Sequence, residues 1–428
     1  MLDLIIRNAN LPDGRKGIDI AADKGRIVEV GPRLAVQAVR EIDATERLVS
    51  PPFVDSHFHL DSTLSYGQPR VNQSGTLLEG IELWGEFKSD LTIENVKARA
   101  AELCRWAIAR GTLAIRSHVD VSDDKLLAVK ALLELRDEIK PYIDLQLVAF
   151  PQDGYFRHGP SAANLERALD MGVEVVGGIP HFERTMAEGT ASVKALCEIA
   201  AARGLQVDMH CDESDDPHSR HIETLTFHTQ RLGLHGRVSG SHLTSMHSMD
   251  NYYVSKLLPL MAEARLHVVA NPLINITLQG RHDTYPKRRG MTRVKELMET
   301  GVNVAFGQDA LLDPWYSFGS HDMLEVAHMG LHVAQMTGGE QIQQIFAAVT
   351  TNGARVLGLE NYGLEPGCHA DMVILQAANP QEALRLKPAR LFVIRRGTVI
   401  AETPPVVSRL ELADGTYEVD FRFPTDSN

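Results

Sequence analysis

The sequence predicts an α/β protein: a (β/α)8 TIM barrel with a small β-sandwich domain that both ends of the chain build together. The middle of the chain alternates strand-like apolar runs with helix-like segments. Strands that are apolar throughout are typical of a parallel sheet covered by helices on both faces. A doubly wound open sheet is the alternative. It is disfavoured because neither a G-x-G-x-x-G motif nor a Walker loop follows the first strand.

The composition indicates an ordinary globular protein. A chain of 428 residues with 44% hydrophobic and 23% charged residues suits one large domain plus a smaller one. The net charge of −13 argues against binding of a nucleic-acid polymer, and no apolar run is long enough to span a membrane. Four cysteines without a C-x-x-C pair favour a reducing, cytoplasmic location.

The two ends of the chain have similar strand-like character. Near the amino terminus, "LDLIIRNANL", "GIDIAAD" and "GRIVEVG" predict a small antiparallel sheet. Near the carboxyl terminus, "ADMVILQA", "PARLFVIRRGTVI" and "TYEVDFRF" predict further strands. We therefore assign residues 1–50 and 363–428 to the small β domain and residues 51–362 to the barrel.

The barrel strands begin with "LVSPPFVDSHFHL" and are separated by helix-like segments. One such segment, "TIENVKARAAELCRWAIARG" (92–111), has helical spacing of apolar residues and a terminal glycine suited to a C-cap. Two others are "SVKALCEIAAARG" and "RVKELMETG". The remaining predicted strands are 112–121, 144–152, 173–181, 205–213, 237–245, 266–273 and 302–310.

Polar residues cluster at the carboxyl ends of these strands, where the active sites of such barrels lie. His57 and His59 in "VDSHFHLD" share one face of a strand because alternate side chains point the same way. His210, His242 and Asp309 end three further strands. Imidazoles and a carboxylate that converge in this way predict a site for one divalent metal ion, Zn²⁺ or Fe²⁺, with Mn²⁺ also accepted.

The loop after the fifth strand contributes a candidate proton shuttle. Glu213 in "HCDES" would lie beside a metal-activated water, where a carboxyl group can transfer protons. Asp212, Asp215 and Asp216 are predicted to cap the next helix.

The end of the fourth strand bears on the number of metal ions. It reads "VVGGIPHFE" and lacks the lysine that bridges two metals in many such barrels, so one metal ion is predicted. His118 and His181 also lie at strand ends, either in contact with substrate or as supporting residues.

With these residues the chain resembles the amidohydrolase superfamily and, within it, the bacterial cytosine deaminases. The resemblance extends over nearly the whole length. It is carried by "PPFVDSHFHLD", "NQSGTLLEGIELW", "HVDVSD", "DLQLVAFPQ", "HCDE", "VANPLINITLQGRHDTYPKRRG" and "DPWY". It implies a mononuclear metal site and, by family habit, a homo-oligomer.

The resemblance also implies roles for individual residues. The metal ligands would be His57, His59, His210 and Asp309. Glu213 would move a proton to the ring nitrogen, and His242 and Asp309 would orient the attacking water. For the substrate ring, Gln152 would read the carbonyl and N–H edge of a pyrimidine, while Leu77 and Trp315 would enclose its faces.

One position departs from the family pattern. In the cytosine deaminases that the chain resembles, a second aspartate follows the metal-binding aspartate, whereas this chain has Ala310 after Asp309. An alanine leaves apolar space at the edge of the ring, where burial of a methyl group contributes about 0.8 kcal/mol. The expected reaction is therefore deamination of cytosine or a C5-substituted cytosine, with conversion of 5-methylcytosine to thymine favoured.

Two other interpretations remain open at this stage. The first is a superfamily enzyme with another aminated heterocycle as its substrate, such as isoguanine, an aminotriazine or a creatinine-type ring. A cyclic amide hydrolase would need the missing lysine and a second metal ion. The other interpretation is a metal-binding protein without activity, which would be expected to lose Glu213 or a ligand first.

Overall fold

The computed structural model describes residues 1–423. Its strands are β1 (Leu2–Ala9), β2 (Ile18–Asp23), β3 (Arg26–Gly31), β4 (Ala38–Asp43), β5 (Leu48–Ser50), β6 (Phe53–Phe58), β7 (Thr112–Asp120), β8 (Asp144–Phe150), β9 (Val175–Gly178), β10 (Gln206–Cys211), β11 (Val238–His242), β12 (His267–Ala270), β13 (Asn303–Phe306), β14 (Met372–Leu375), β15 (Arg390–Arg395), β16 (Thr398–Glu402), β17 (Ser408–Leu412) and β18 (Gly415–Val419). Its helices are α1 (Leu77–Phe87), α2 (Ile93–Ala109), α3 (Leu127–Ile139), α4 (Ser161–Asp170), α5 (Met186–Arg203), α6 (His221–Arg231), α7 (Asn251–Glu263), α8 (Pro272–Leu278), α9 (Val294–Glu299), α10 (Met323–Val333), α11 (Gly339–Ala348), α12 (Thr351–Leu357) and α13 (Pro380–Leu386).

Within residues 1–423, strands β6 to β13 form an eight-stranded sheet in sequential order. Each neighbouring pair is parallel. A parallel bridge between Phe58 and Asp309 joins the two ends of the sheet, which is therefore nearly closed. This arrangement confirms the predicted (β/α)8 barrel.

Buried apolar residues hold the barrel together, and a capped helix packs on it. Every residue of β7 is buried, as expected for a strand covered on both faces. Helix α2 begins with a capping box in which Thr92 and Asn95 satisfy each other's backbone N–H groups. The predicted terminal glycine, Gly111, has a φ of 79°. A Cβ atom there would lie 2.9 Å from Val373 Cγ2 of β14, so the turn also lets the barrel pack against a second sheet.

Both chain ends contribute to the smaller sheets. Strands β1, β2 and β3 are antiparallel as predicted, but β4 pairs with β1 in parallel, which makes that sheet mixed. A second sheet has the order β16, β15, β14, β5, so a strand from the amino-terminal part pairs with strands near the carboxyl terminus. Apolar residues of the two ends, for example Ile6 and Ile374, share one core cluster.

The carboxyl-terminal part differs from prediction at its last strand. Of the expected strand "TYEVDFRF", only the residues up to Val419 belong to β18, which forms a hairpin with β17. The domain boundaries at residues 50 and 362 stay predictions, and residues 424–428 of the last segment lie outside the described residues. Among residues 1–423, the structure has no helix that combines the length and apolar character of a membrane span.

Candidate metal centre and active site

The structure brings the predicted histidines and aspartate together at the carboxyl end of the barrel. His57 lies in β6 and His59 follows that strand directly. His210 and His242 lie in β10 and β11, and Asp309 follows β13. All five side chains are buried. Because the carboxyl ends of parallel strands meet at one edge, residues far apart in sequence become neighbours here.

Their ligand atoms lie within a few ångströms of one another. The Oδ1 atom of Asp309 is 3.2 Å from His57 Nε2 and 3.4 Å from His59 Nε2, and His59 Nε2 is 2.9 Å from His210 Nε2. Within residues 1–423, two overlapping groups could each hold a metal ion, and they share His57 and His210. One group adds His59 and His118, and the other adds His242 and Asp309.

The hydrogen bonding of these histidines fits a metal ion. Among the described residues, three buried histidine atoms have no hydrogen-bond partner: Nδ1 and Nε2 of His57, and Nδ1 of His210. A buried polar atom without a partner is costly, and a metal ion beside Asp309 would remove that cost at His57 Nε2 by accepting its lone pair. Neutral imidazoles with a carboxylate form a donor set suited to Zn²⁺ or Fe²⁺.

The backbone at the strand ends is held in a sparsely populated conformation. His242 has a φ of 71° and Asp309 a φ of 68°, in the left-handed region that non-glycine residues rarely adopt. At Asp309 this bend is fixed from both sides, since its N–H donates to His57 O over 2.8 Å and its carbonyl accepts from His59 N–H over 3.0 Å. Such strain, about 1–3 kcal/mol per residue, is characteristic of functional sites.

His242 is held as a neutral ring. Its Nδ1 atom lies 3.0 Å from the amide nitrogen of Asn275 and 3.3 Å from that of Asn271. An amide nitrogen donates, so Nδ1 accepts and Nε2 carries the proton. Burial lowers the pKa of His242 well below its ordinary value, so the ring stays uncharged near neutral pH.

Glu213 and Asp309 are driven to opposite protonation states. Burial, and then the charge of Asp309, raises the pKa of Glu213 well above its ordinary value. Burial opposes ionisation of Asp309, but His242 and His57 outweigh it and lower the pKa of Asp309 well below its usual range. Glu213 Oε1 lies 3.3 Å from His242 Nδ1. Two carboxyl groups with separated pKa values are typical of an acid and base pair.

Asp212 anchors the loop that carries Glu213. Its carboxylate accepts the backbone N–H groups of His221 and Ile222 over 3.0 and 2.9 Å at the start of α6. This cap was predicted for Asp212. The prediction is wrong for Asp215, which instead accepts Gly280 N–H from a distant loop, and for Asp216, which accepts His218 N–H in the turn before α6.

The candidate metal centre opens into a cavity with an empty volume of about 390 Å³. Gln152, Leu77, Trp315 and Ala310, which the sequence analysis selected, all line it. So do apolar residues that sequence reasoning missed: Ile81, Ile179, Ile274 and Leu278. In the sequence these apolar residues look like core residues, and no polar signature sets them apart.

His118 and His181 do not belong to the described lining of the cavity. His118 packs under the metal centre with its ring centre 4.1 Å from that of His57, and its Nε2 lies 3.5 Å from Asp208 Oδ1. Burial lowers the pKa of His118 to about 3 and that of His181 to about 4, so both rings are neutral. His118 therefore either packs against the metal ligands or is itself a ligand. Neither His118 nor His181 is placed to contact a substrate in the cavity.

Glu183, which the sequence also did not indicate, holds the loop that carries Gln152. Its buried carboxylate accepts three consecutive backbone N–H groups. The distances are 2.7 Å from Tyr155 N, 3.1 Å from Phe156 N and 2.8 Å from Arg157 N. Successive N–H groups that converge on one carboxylate form a nest, a motif that sequence alone does not reveal.

We expect Glu183→Gln to destabilise the protein. The amide would present N–H donors to backbone donors and would lose the charge that strengthens these bonds, which costs about 1–3 kcal/mol. Urea denaturation would measure this loss. Glu198→Gln, at an exposed position of α5, is the matched control and should change stability by less than about 0.5 kcal/mol. Equal stability of the two variants would show that the nest does not hold the loop.

Helix α1 presses against Trp315 at a glycine. A Cβ atom on Gly80 would lie 2.3 Å from Trp315 Cδ1. The Trp315 loop cannot easily yield, because Asp313 accepts the N–H groups of Trp315 and Tyr316, each over 2.9 Å. Burial raises the pKa of the Asp313 carboxyl to about 6.

We therefore expect Gly80→Ala to lower stability by about 1–3 kcal/mol through overpacking. Gly85→Ala is the control on the same helix, since nothing lies within 4 Å of its Cβ position. It should leave stability unchanged or raise it by about 0.5–1 kcal/mol, because alanine favours helix over glycine. Thermal unfolding, with Trp fluorescence as a readout, separates the two variants. If Gly85→Ala lowered stability and Gly80→Ala did not, the close packing of Gly80 against Trp315 would be refuted.

Comparison with known proteins identifies the family. The model of the amidohydrolase family matches residues 40–407. N-isopropylammelide isopropyl amidohydrolase of Pseudomonas sp. (strain ADP) is 32% identical over 95% of this chain and 99% of its own length. Pterin deaminase of Rhizobium rhizogenes is 28% identical over 94% of this chain and 92% of its own length.

A solved structure is more similar still. The 5-methylcytosine deaminase from Klebsiella pneumoniae, liganded with 5-fluorocytosine, superimposes with a TM-score of 0.92 at 41% identity. The match covers 96% of this chain and 100% of that one. These matches confirm the resemblance that the motifs indicated. The chain belongs to the amidohydrolase family and is a hydrolase of carbon–nitrogen bonds.

Proposed function

We propose that the protein is a metal-dependent deaminase that converts 5-methylcytosine to thymine and ammonia and also accepts cytosine. The observation that carries this proposal is the position of Ala310. It directly follows Asp309, is buried, and lines the same cavity as Glu213 and Gln152. The 41% identity to a 5-methylcytosine deaminase supports the proposal.

The metal would be one divalent ion, Zn²⁺ or Fe²⁺, with Mn²⁺ as a further candidate. We assign His57, His59, His210 and Asp309 as its ligands, because their ligand atoms converge and His57 Nε2 is buried without a hydrogen-bond partner. When bound, such an ion lowers the pKa of a coordinated water from about 16 toward 7 and so supplies the nucleophile.

Two carboxyl groups, Asp309 and Glu213, would transfer protons, and the neutral imidazole of His242 would hold the water by a hydrogen bond. Asp309, ionised at neutral pH, accepts a hydrogen bond from the attacking water, and His242 donates to the water through Nε2–H. Glu213 carries a proton and gives it to the ring nitrogen next to the carbon under attack. The water loses a proton to Asp309 as it attacks, and Asp309 passes that proton to the amino group. The carbon–nitrogen bond to the amino group then breaks and ammonia leaves, while the new hydroxyl group returns a proton to Glu213 as it becomes the ring carbonyl. Proton transfers of this kind contribute about 10²–10⁴-fold to the rate.

The remaining lining residues would select the ring. The side-chain amide of Gln152 both donates and accepts, which matches the carbonyl and N–H edge of a pyrimidine. Leu77 and Trp315 line the cavity and would cover the two faces of the ring. Ala310 would contact the C5 methyl group, whose burial contributes about 0.8 kcal/mol.

Another aminated heterocycle is the second candidate substrate. The relatives of similar length include a pterin deaminase as well as an isopropylammelide hydrolase, so the family site accommodates more than one ring. The isoguanine, aminotriazine and creatinine-type rings considered above belong to this group. A homo-oligomeric state and a cytoplasmic location stay predictions.

Ammonia release tests the proposal. Metal-reconstituted protein would be assayed on 5-methylcytosine and cytosine side by side, with chelator-treated protein as the control. We expect turnover of both and a higher kcat/KM for 5-methylcytosine. A much lower kcat/KM for 5-methylcytosine than for cytosine would refute the role of Ala310. Activity on neither would refute pyrimidine deamination and leave another aminated ring.

A further inference from the structure

Helix α10 carries a pair of histidines outside the candidate active site. His328 and His332 are four residues apart, so they lie on the same face of the helix, one turn after the other. Their ring centres are 4.5 Å apart. His328 is half-buried and His332 is exposed. Neither belongs to the described lining of the cavity or to the candidate metal groups of residues 1–423.

Hydrogen bonds fix the tautomer of both rings. His328 Nδ1 lies 3.0 Å from the carbonyl oxygen of Leu384 in α13, and His332 Nδ1 lies 2.7 Å from the carbonyl oxygen of His328. A carbonyl oxygen only accepts, so each Nδ1 must carry the proton. Each Nε2 atom is therefore left with a free lone pair. Burial lowers the pKa of His328, which also favours the neutral ring.

We propose that His328 and His332 form a second metal site, a two-histidine chelate for a divalent transition metal ion such as Cu²⁺, Ni²⁺ or Zn²⁺. Ligating histidines almost always donate their other N–H to a carbonyl or carboxylate, and both rings already do so here. Imidazole nitrogen suits these borderline ions, with Cu²⁺ bound most tightly. The carbonyl contacts account for one nitrogen of each ring and leave the other nitrogen of two neighbouring rings free to bind an ion.

We expect the site to bind a metal ion more weakly than the barrel centre does. Two imidazoles leave most coordination positions to water, so the ion should bind more weakly than in a buried site with four protein ligands. The ion would bridge two turns of α10 close to its carboxyl end. Since it binds only the folded helix, it should raise the thermal stability of the protein.

Electron paramagnetic resonance of added Cu²⁺ tests the proposal. The purified protein is first loaded with one Zn²⁺ per chain, which fills the tighter barrel centre, and weakly held zinc is removed by gel filtration. Zinc released on adding Cu²⁺ is then counted with a dye. We expect one Cu²⁺ per chain that displaces no zinc and shows hyperfine coupling to two nitrogens. We also expect Cu²⁺ to raise the unfolding temperature. His332→Gln should leave one coupled nitrogen and weaken binding at least about tenfold, since even the loss of outer-sphere partners costs 10–100-fold.

Two variants make the result decisive. The double variant His328→Gln/His332→Gln should lose this Cu²⁺ and the rise in unfolding temperature. His235→Gln, which removes a histidine between α6 and β11, should keep both. Cu²⁺ binding that survives in the double variant would overturn the proposal. So would one-nitrogen coupling in the unsubstituted protein, or Cu²⁺ uptake matched by zinc release. None of these readouts depends on the proposed deaminase activity.

Discussion

Glu213→Gln is expected to lower kcat by about 10²–10⁴-fold, the usual contribution of a positioned acid–base group. Glutamine keeps the shape of the side chain and can still hydrogen bond, but it cannot give a proton to the ring nitrogen. The buried carboxyl group has the raised pKa that this transfer requires. Steady-state ammonia release on 5-methylcytosine and cytosine would measure the loss, which should affect both substrates equally.

The metal content of the Glu213→Gln variant shows whether its lower activity comes from lost proton transfer or from a lost metal ion. Glu213 lies outside both candidate metal groups of residues 1–423, so the variant should bind as much metal as the unsubstituted protein. Glu198→Gln, an exposed acid on α5, serves as the control with full activity. A Glu213→Gln variant with normal metal content and a kcat within tenfold of normal would remove Glu213 from the proposed chemistry.

Ala310→Asp should reduce kcat/KM for 5-methylcytosine on the order of 100-fold and affect cytosine much less. The new carboxylate would be buried against the methyl group without a partner, and an uncompensated buried charge costs about 3–5 kcal/mol. With cytosine, the same space holds only a hydrogen atom, which leaves room for the carboxylate or a water. Competition between the two substrates in one assay gives the ratio of kcat/KM directly.

Ala310→Gly is the matched control at this position. It keeps the space apolar and removes one methyl group, so the preference for 5-methylcytosine should change by less than about tenfold. Metal content must again be measured, because residue 310 adjoins Asp309. If Ala310→Asp with normal metal content lowered activity on both substrates by the same factor, position 310 would not face C5 of the ring.

Three buried carboxylates outside the metal centre share one task. Glu183, Asp212 and Asp313 each accept backbone N–H groups and so fix the loops that carry Gln152, Glu213 and Trp315, respectively. Backbone N–H groups in irregular loops need acceptors when water is excluded. The candidate active site is therefore held in place by acids that would not themselves touch the substrate.

The sequence by itself determined the barrel and the candidate metal cluster. Apolar runs of strand length alternate with helical patterns, and His57, His59, His210, His242 and Asp309 fall where those runs end. Two general rules then place them together: strands of a barrel run parallel, and active sites of such barrels lie at the carboxyl ends. Both rules depend on local pattern and order along the chain, which the sequence shows directly.

Only the tertiary structure decided features that depend on distant partners. Strand β4 pairs with β1 in parallel, and β5 pairs with β14. The sequence pattern of each strand does not indicate which other strand it will pair with. The chain also cannot distinguish Ile274, which faces the cavity, from an apolar residue of the core. Nor does it mark Glu183 as the acceptor for a loop almost thirty residues away. In each case hydrophobicity or charge is a local property, whereas the contact that gives it a role is created by the fold.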